Sequence, residues 1–286
     1  MKRNFLCLFC MLMLSLVFTS CKKDDGGSGL KAVFSYVADG YKVNFTNFST
    51  NAKTYSWDFG DGSGETSTAR APQHIFTSKG DFLVTLTADN GGETSSFTDT
   101  VSIIGPNIKI DNDLSDWQYV PYTHQNDEAF PGTIRAVKTF AGAQDIFFLL
   151  EGTNDMDIEL FDMYIDSDNN PGTGFATYLY PAGAGPDFLL EGPPGLPSWG
   201  SFYEHSGVGT GFSFSPTIGF DAGMSFGPIK PDAGKKYMEF SIKKPALNGP
   251  TGAISFCFIH LSTGYAALGT IPESETPASK FLKVTF

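Results

Sequence analysis

Short runs of strand-favouring residues recur along this chain, and clusters of glycine, proline, asparagine and aspartate separate them. The 286 residues include 32 glycines, 17 prolines and 27 phenylalanines, and no long stretch is rich in Ala, Leu, Glu and Lys. Because short strands between turn signals are typical of sandwiches and barrels, the pattern predicts an all-β protein. The length favours two domains, each with a core of its own.

The first 20 residues predict a signal peptide. Lys2 and Arg3 precede the apolar run FLCLFCMLMLSLVF, and a small-residue site ends at Cys21. A charged start, an apolar centre and a small-residue end are the layout of a signal peptide. A transmembrane anchor is the alternative, although about 17 residues is the short limit for spanning a bilayer.

The cleavage site resembles the lipobox of bacterial lipoproteins. This resemblance implies that Cys21 is lipidated and that outer-membrane lipid holds the protein, since several acyl chains suffice to anchor a soluble domain. The next residues, KKDD, resemble the export signal of surface-displayed lipoproteins from glycan-degrading systems, with a solvated linker as the alternative. Residues 21–30 are therefore predicted to be a flexible tether on the cell exterior.

Charge and cysteine content exclude several kinds of protein. The net charge of −12 provides no basic stripe for DNA or RNA, so no nucleic-acid partner is expected. After removal of the signal peptide and lipidation of Cys21, only Cys257 remains, so no internal disulfide can form. Cys257 is predicted to be a small buried apolar group.

Residues 31–104 predict an immunoglobulin-like sandwich of short strands. In the run DFLVTLTAD, alternation places Phe82, Val84 and Leu86 on one face, which is predicted to be the core. The motif WDFGDG, from Trp57 to Gly62, together with the later residues PQHIF and VTLT, resembles the polycystic kidney disease (PKD) domain. That resemblance implies a spacer, and Asp58 is interpreted as stabilising a turn rather than as half of a catalytic pair.

Residues 107–286 follow a Gly-Pro break and predict a second, larger sandwich of the jelly-roll type. Many of its strand candidates are almost continuously apolar, so both of their faces are expected to be covered. The candidates are IRAVKTFAG, DIFFLLEG, DMYIDSD, ATYLYP, PDFLLEG, SFYEH, YMEFSIKK, AISFCFIHL and FLKVTF.

Three blocks of this second region are similar to family 9 carbohydrate-binding modules. They are IDNDLSDW at 110–117, YIDSDNNPGTG at 164–174 and GPDFLLEG at 185–192, in the same order as in that family. Asn112 stands where the family has glycine, and Trp117 is expected to be core. The resemblance implies a non-catalytic glycan-binding sandwich.

The DSDNN stretch is a candidate cation site. Asp166, Asp168 and Asn170 are spaced i, i+2, i+4, so an extended strand end projects their oxygens on one side, where they could bind Ca²⁺. The Gly172 carbonyl and the Asp187 carboxylate are the candidates for further ligands. The alternative is a hairpin turn in which the aspartates accept hydrogen bonds from backbone N–H groups.

A sugar site is expected to use an aromatic platform with polar side chains around it. Trp199 lies in the Pro- and Gly-rich loop PPGLPSWG, where a large ring either binds ligand or caps the core. The other candidate ligand contacts are Tyr180, Tyr203, Glu204 and Arg135.

Catalysis is not expected. The G-x-S-x-G match around Ser225 lacks the following helix that a nucleophile elbow requires. The acidic run NDMDIELFDMYIDSD alternates with apolar residues, which indicates a strand edge rather than an arranged acid and base.

The sequence therefore predicts a surface lipoprotein that binds glycan beside an uptake or degradation system, with uptake-complex proteins as possible partners. The alternatives are a calcium-stabilised structural or protein-interaction lipoprotein and a glycan-active enzyme. The glycan itself is not specified by the sequence.

Overall fold

The computed structural model describes residues 29–286. The predicted signal peptide (1–20), the lipidation site Cys21 and the tether up to residue 28 lie outside the described residues. Within the described part, no helix is long and apolar enough to cross a membrane. The prediction of an all-β protein is confirmed, since the described helices are one α-helical turn and two 3₁₀ turns.

The chain divides into two compact units. One consists of residues 29–35, 46–72 and 83–99, and the other of residues 36–45, 73–82 and 100–286. The predicted boundary between two domains at residues 104–107 stays a prediction.

The N-terminal part of the chain contains seven strands. Their bounds are β1 (Phe34–Asp39), β2 (Lys42–Asn47), β3 (Thr54–Asp58), β4 (Thr66–Ser67), β5 (Gln73–Ile75), β6 (Gly80–Asp89) and β7 (Thr94–Ile103). Three of them form a sheet in the order β1-β2-β5, and four form a sheet in the order β4-β3-β6-β7.

The core of the first unit is built around Trp57. This side chain is fully buried, its ring lies 5.2 Å from that of Phe34, and its Nε1 donates a hydrogen bond to the Ala69 carbonyl. On β6, Val84 and Leu86 are buried while Leu83, Thr85 and Thr87 are more exposed, as the alternation predicts. The interpretation of Asp58 as a turn residue is confirmed, since its Oδ1 accepts a hydrogen bond from the Gly60 N–H.

The C-terminal part contains the remaining strands and helical turns. The strands are β8 (Tyr122–Gln125), β9 (Ile134–Ala141), β10 (Asp145–Gly152), β11 (Leu160–Asp166), β12 (Gly174–Phe175), β13 (Phe188–Gly192), β14 (Ser201–His205), β15 (Val208–Gly209), β16 (Phe214–Gly219), β17 (Met224–Phe226), β18 (Lys230–Asp232), β19 (Lys235–Lys243), β20 (Ala253–Leu261), β21 (Ala267–Ile271) and β22 (Leu282–Thr285). The helical elements are α1 (Phe220–Gly223) and the 3₁₀ turns Leu114–Trp117 and Lys244–Leu247.

Two antiparallel sheets form the sandwich of the C-terminal part. The first, which we name sheet D, has the order β17-β19-β10-β9-β8, with β18 also paired to β19. The second, which we name sheet E, has the order β16-β14-β13-β11-β20-β21, with β22 also paired to β20. Buried side chains from both sheets, such as Phe148 and Phe240 from D and Phe161 and Phe258 from E, make one core. Burying large aromatic side chains in this way supplies most of the stabilisation of such a sandwich.

Sheet E is buried on much of its outer face as well. Leu160, Tyr164, Leu189 and Cys257 alternate with the core residues of their strands and form a second apolar cluster on that face. This explains why the strands of sheet E have almost continuously apolar sequences. The burial predicted for Cys257 is confirmed.

The segment ATYLYP, predicted as a strand, has no strand structure. It is part of a long connection between β11 and β13, and its apolar side chains cover the outer face of sheet E. Tyr180 packs there against Phe281 at 5.1 Å and donates a hydrogen bond to the Pro272 carbonyl. The prediction was wrong because an apolar run that covers a sheet looks like one that pairs within it.

The opening block IDNDLSDW is held against sheet D by a buried carboxylate. Glu239 of β19 is 1% exposed, and its two oxygens accept hydrogen bonds from the Asn112 N–H and from the Trp117 Nε1, the latter at 3.2 Å. Asn112 has a φ of +66°, a conformation that glycine adopts without strain, which accounts for the glycine at this position of the family pattern. The prediction that Trp117 is core is confirmed.

The G-x-S-x-G match has no nucleophile-elbow geometry. Ser225 lies inside β17, opposite Ser241 of β19, and the only adjacent helical turn, α1, comes before it. An elbow instead places the serine on a sharp turn between a strand and the helix that follows.

Candidate functional site

A row of residues crosses the outer face of sheet E at right angles to its strands. In register, Ser201 of β14 lies opposite Glu191 of β13, Glu191 lies opposite Asp162 of β11, and Asp162 lies opposite Ile259 of β20. Neighbouring strands lie about 4.8 Å apart, so these side chains are direct cross-strand neighbours. Ile259 is buried, whereas Ser201, Glu191 and Asp162 are partly exposed. The outer face is therefore open at this part of the row.

The carboxyl groups of Asp162 and Glu191 are cross-strand neighbours on one face of the sheet, close enough for a proton to be shared between them. Burial, and then the neighbouring Glu191, raise the pKa of Asp162 to about 7. Burial also raises the pKa of Glu191, while the neighbouring Tyr265 hydroxyl and Asp162 carboxyl act against that rise. Asp162 Oδ1 is buried and accepts no hydrogen bond from an N–H or hydroxyl donor. A proton shared between the two carboxyl groups satisfies this geometry.

Tyrosine side chains surround this pair of acids. Tyr265, on the turn between β20 and β21, is 56% exposed, and the neighbouring Glu191 carboxylate raises the pKa of its hydroxyl. Tyr203 of β14 is partly exposed, and burial, followed by the neighbouring Glu191, raises the pKa of its hydroxyl. We name the set Asp162, Glu191, Tyr203 and Tyr265 the acid-pair patch.

Trp199 is 56% exposed, so of the two sequence interpretations the structure favours an available ring over a cap on the core. It lies two residues before Ser201, whose hydroxyl donates a 3.4 Å hydrogen bond to the Trp199 carbonyl. The β13–β14 loop thus carries an exposed indole at the end of the sheet to which the open row belongs.

The other predicted ligand contacts are not brought together. Tyr180 is 1% exposed, so the prediction that its ring offers a stacking surface is wrong. Glu204 follows Tyr203 in β14 and faces the opposite side of the sheet, where it accepts a hydrogen bond from Asn248 Nδ2. Arg135 belongs to sheet D, and its Nη1 donates to the Phe130 carbonyl at 2.6 Å. Only Tyr203 belongs to the acid-pair patch.

The acidic run around β11 is not at a strand edge, contrary to the sequence interpretation. β11 lies inside sheet E, between β13 and β20. This is why Asp162 acquires Glu191 as a neighbour. Alternation along a strand separates the residues of its two faces, but only the pairing of β11 with β13 brings Asp162 next to Glu191. Tyr265 comes from a separate turn and has no sequence signal of its own.

The candidate cation ligands gather at the other end of β11. Carboxylate oxygens of Asp166, Asp168 and Asp187 all lie within 4.8 Å of one another. Burial, with Asp168 and Asp187 adding to it, raises the pKa of Asp166 to about 7. Asp168, Asp187 and Glu204 also line an open pocket of about 450 Å³.

The same residues make the hydrogen bonds of a tight turn. Asp187 Oδ2 accepts from the N–H and the hydroxyl of Ser167, and Asp168 Oδ1 accepts from the Asn170 N–H. Asn170 Oδ1 accepts from the Gly172 N–H at 3.1 Å. The same stretch therefore forms a hydrogen-bonded turn and also brings three carboxylates together. The ligand roles of Asn170 and Gly172 stay predictions.

Residues 29–103 match the family model of the PKD domain. The same part of the chain is similar to the PKD1 domain of the metalloprotease PrtV from Vibrio cholerae, with 32% identity over 26% of this chain and 96% of that one and a TM-score of 0.24. It is also similar to the PKD1 domain of Epp from Vibrio anguillarum, with 34% identity over 26% and 93% and a TM-score of 0.24. This segment of the chain belongs to the PKD domain family.

A longer match includes the C-terminal part of the chain. A solved structure described as a carbohydrate-binding module from the β-sandwich superfamily aligns with 75% of this chain and 91% of its own, at 15% identity and a TM-score of 0.24. The fold of the C-terminal part is a β-sandwich by its own two sheets and shared core, and its ligand is a matter for proposal.

Proposed function

We propose that the protein binds glycans without cleaving them, and that the acid-pair patch with Trp199 is the binding surface. The observation that carries this proposal is the opening in the cover of sheet E, where a carboxyl pair lies among tyrosine side chains. Carboxyl groups bind sugar hydroxyls by hydrogen bonds, and aromatic rings stack on the apolar faces of pyranoses. The resemblance of three sequence blocks to family 9 carbohydrate-binding modules supports the same function.

The adjacency of Asp162 and Glu191 supports binding rather than hydrolysis. The two residues are cross-strand neighbours on one face of sheet E, so both carboxyl groups lie on the same side of a ligand at that face. Glycosidases instead place their two carboxyl groups on either side of the scissile bond, about 5 Å apart in retaining enzymes and further apart in inverting ones. Two acids on the same side of a ligand do not flank such a bond.

The proposed setting is the outer surface of a bacterial cell. Lipidation at Cys21 would anchor the chain, residues 21–30 would be a tether, and the PKD domain would be a spacer. Many weak sites held at one surface raise the effective concentration of a polymeric ligand there, which would serve a neighbouring uptake or degradation complex.

Alanine at Trp199 or Tyr265 is expected to weaken glycan binding about tenfold, because each change removes an exposed ring worth about 1–2 kcal/mol of contact. Affinity electrophoresis of the purified protein in gels containing a panel of neutral and acidic polysaccharides measures the retention. Phe48→Ala is the matched control, since Phe48 is an exposed ring in the PKD domain.

Two results would contradict this proposal in different ways. If no polysaccharide retards the wild-type protein, glycan binding is wrong and the structural alternative is favoured. If a polysaccharide retards the wild type and both variants equally, the protein binds glycan at another surface.

A second proposed function is structural binding of Ca²⁺ by Asp166, Asp168 and Asp187. The observation that favours it is the convergence of three carboxylates, whose mutual repulsion a divalent cation would relieve. Three carboxyl groups fall short of the six to eight oxygens that Ca²⁺ requires, so Asn170, the Gly172 carbonyl and water are the proposed remaining ligands.

Calcium at about 100 times its Kd is expected to raise the free energy of unfolding by about 2.7 kcal/mol, because the ion binds only the folded state. Thermal melts with calcium and with chelator measure this shift. Asp168→Asn should abolish it, whereas Asp232→Asn, at an exposed position of β18, should leave it unchanged. A melting temperature that is the same with calcium and with chelator would favour the turn interpretation of the DSDNN stretch.

A further inference from the structure

Every ionisable group of the acid-pair patch is neutral or negatively charged. The groups that interact electrostatically with Asp162 or Glu191 come from every neighbouring element of the sheet, and none of those described is a lysine, arginine or histidine. They are Tyr164 of β11, Tyr203 of β14, Cys257 of β20, Tyr265 of the following turn, and the two acids themselves. A ligand that carries negative charge would find no positive partner at this surface.

The paired geometry limits how much charge the patch can hold. With one shared proton, the two carboxyl groups carry a single negative charge and their contact is a charge-assisted hydrogen bond. Without that proton, two negative charges lie side by side at partly buried positions, and Asp162 Oδ1 has no donor to stabilise it. Loss of the proton therefore drives the two side chains apart.

A bound saccharide removes water from the patch. Removing water from two adjacent negative charges costs more free energy than removing it from one, because water solvates the doubly charged pair more strongly than the singly charged pair. Ligand binding and retention of the shared proton thus favour each other.

From this geometry, and on the basis of the proposed function, we propose that Asp162 and Glu191 act as one proton-sharing acid that makes the patch selective for neutral saccharides and weakens their binding at alkaline pH. The carboxyl pair accepts hydrogen bonds from neutral hydroxyl groups. Uronic acids or sulfated sugars would bring a further negative charge against Glu191 and would be rejected.

The experiment compares one polysaccharide in two charge states. The neutral polymer retained in affinity electrophoresis is titrated calorimetrically, in soluble form, at pH 5.5 and 8.5, and so is the same polymer after oxidation of its primary hydroxyls to carboxylates. The wild type is expected to bind the neutral form about tenfold more tightly than the oxidised form, and several-fold more weakly at pH 8.5 than at pH 5.5.

The variants separate the acid pair from general charge effects. Asp162→Asn keeps a hydrogen-bonding group next to Glu191 and carries no titrating proton, so its affinity should be the same at both pH values. Asp232→Asn removes an equal charge from an exposed site of β18 and should behave like the wild type. Thermal melts of each variant show that it is folded.

The outcomes distinguish the selectivity from the glycan-binding function. Retention of no polysaccharide at all overturns the proposed function and the selectivity with it. Binding of the neutral and oxidised polymers with equal affinity, or a wild-type affinity independent of pH, overturns the selectivity alone and leaves glycan binding standing.

Discussion

Replacing Glu239 with alanine is expected to lower the free energy of unfolding by about 3 kcal/mol, because buried donors lose a charged acceptor. The carboxylate accepts hydrogen bonds from the Asn112 N–H and the Trp117 Nε1 and lies almost completely out of water. Its removal leaves both donors unpaired beneath the opening block. Urea denaturation followed by tryptophan fluorescence measures the loss.

Two further variants test the cause of this loss. Glu239→Gln keeps one acceptor oxygen and the side-chain volume, so its effect is expected to be smaller than that of alanine. Glu128→Ala removes an exposed acid and should change the stability by less than about 0.5 kcal/mol. An alanine variant at position 239 as stable as the Glu128 variant would show that the opening block is held by other contacts.

Replacing Asp162 with asparagine is expected to stabilise the protein at pH 8, by about 2 kcal/mol, and to change its stability little at pH 4. The pKa of Asp162 is raised from 3.8 in the unfolded chain to about 7 in the folded protein. A carboxyl group whose pKa is higher in the folded state contributes its full stability below the unfolded pKa, and this contribution is lost as the pH rises through the folded pKa. Asparagine does not titrate, so the difference between the two proteins opens between pH 4 and pH 7.

The measurement is the melting temperature of both proteins from pH 4 to pH 8.5. The wild-type curve should fall toward alkaline pH relative to the Asp162→Asn curve. Asp232→Asn provides the control, because its exposed carboxyl should give a curve parallel to that of the wild type. Parallel curves for the wild type and Asp162→Asn would show that the pair carries no shared proton.

Much of the fold could be predicted because the pattern of a strand is visible in a few consecutive residues. The alternation in β6 and the apolar runs of β10, β13 and β20 correspond to strands of the structure. The segment 176–181 shows where this logic stops. Its apolar residues were interpreted as a strand, but they cover sheet E, and local sequence does not distinguish pairing from covering.

The candidate site was less predictable. Trp199 was identified because a tryptophan in a Pro- and Gly-rich loop is conspicuous, and Asp187 because a carboxylate at the start of an apolar strand needs a partner. Tyr180 appeared equally suitable, but it belongs to the segment that covers sheet E, and its ring is buried there against Phe281. Exposure depends on what packs over a residue, and residues distant in sequence determine that.

The sequence alone determined the all-β class and the PKD motif around Trp57, and it identified the DSDNN stretch as either a cation site or a turn, since each depends on residues within a few positions of one another. Only the tertiary structure decided that Asp162 and Glu191 share one surface with Tyr265, because strand register and a distant turn bring them together. The same holds for Glu239 and Trp117, which are 122 residues apart and form one buried hydrogen bond. Such pairings arise from the order of strands in a sheet, which no short segment encodes by itself.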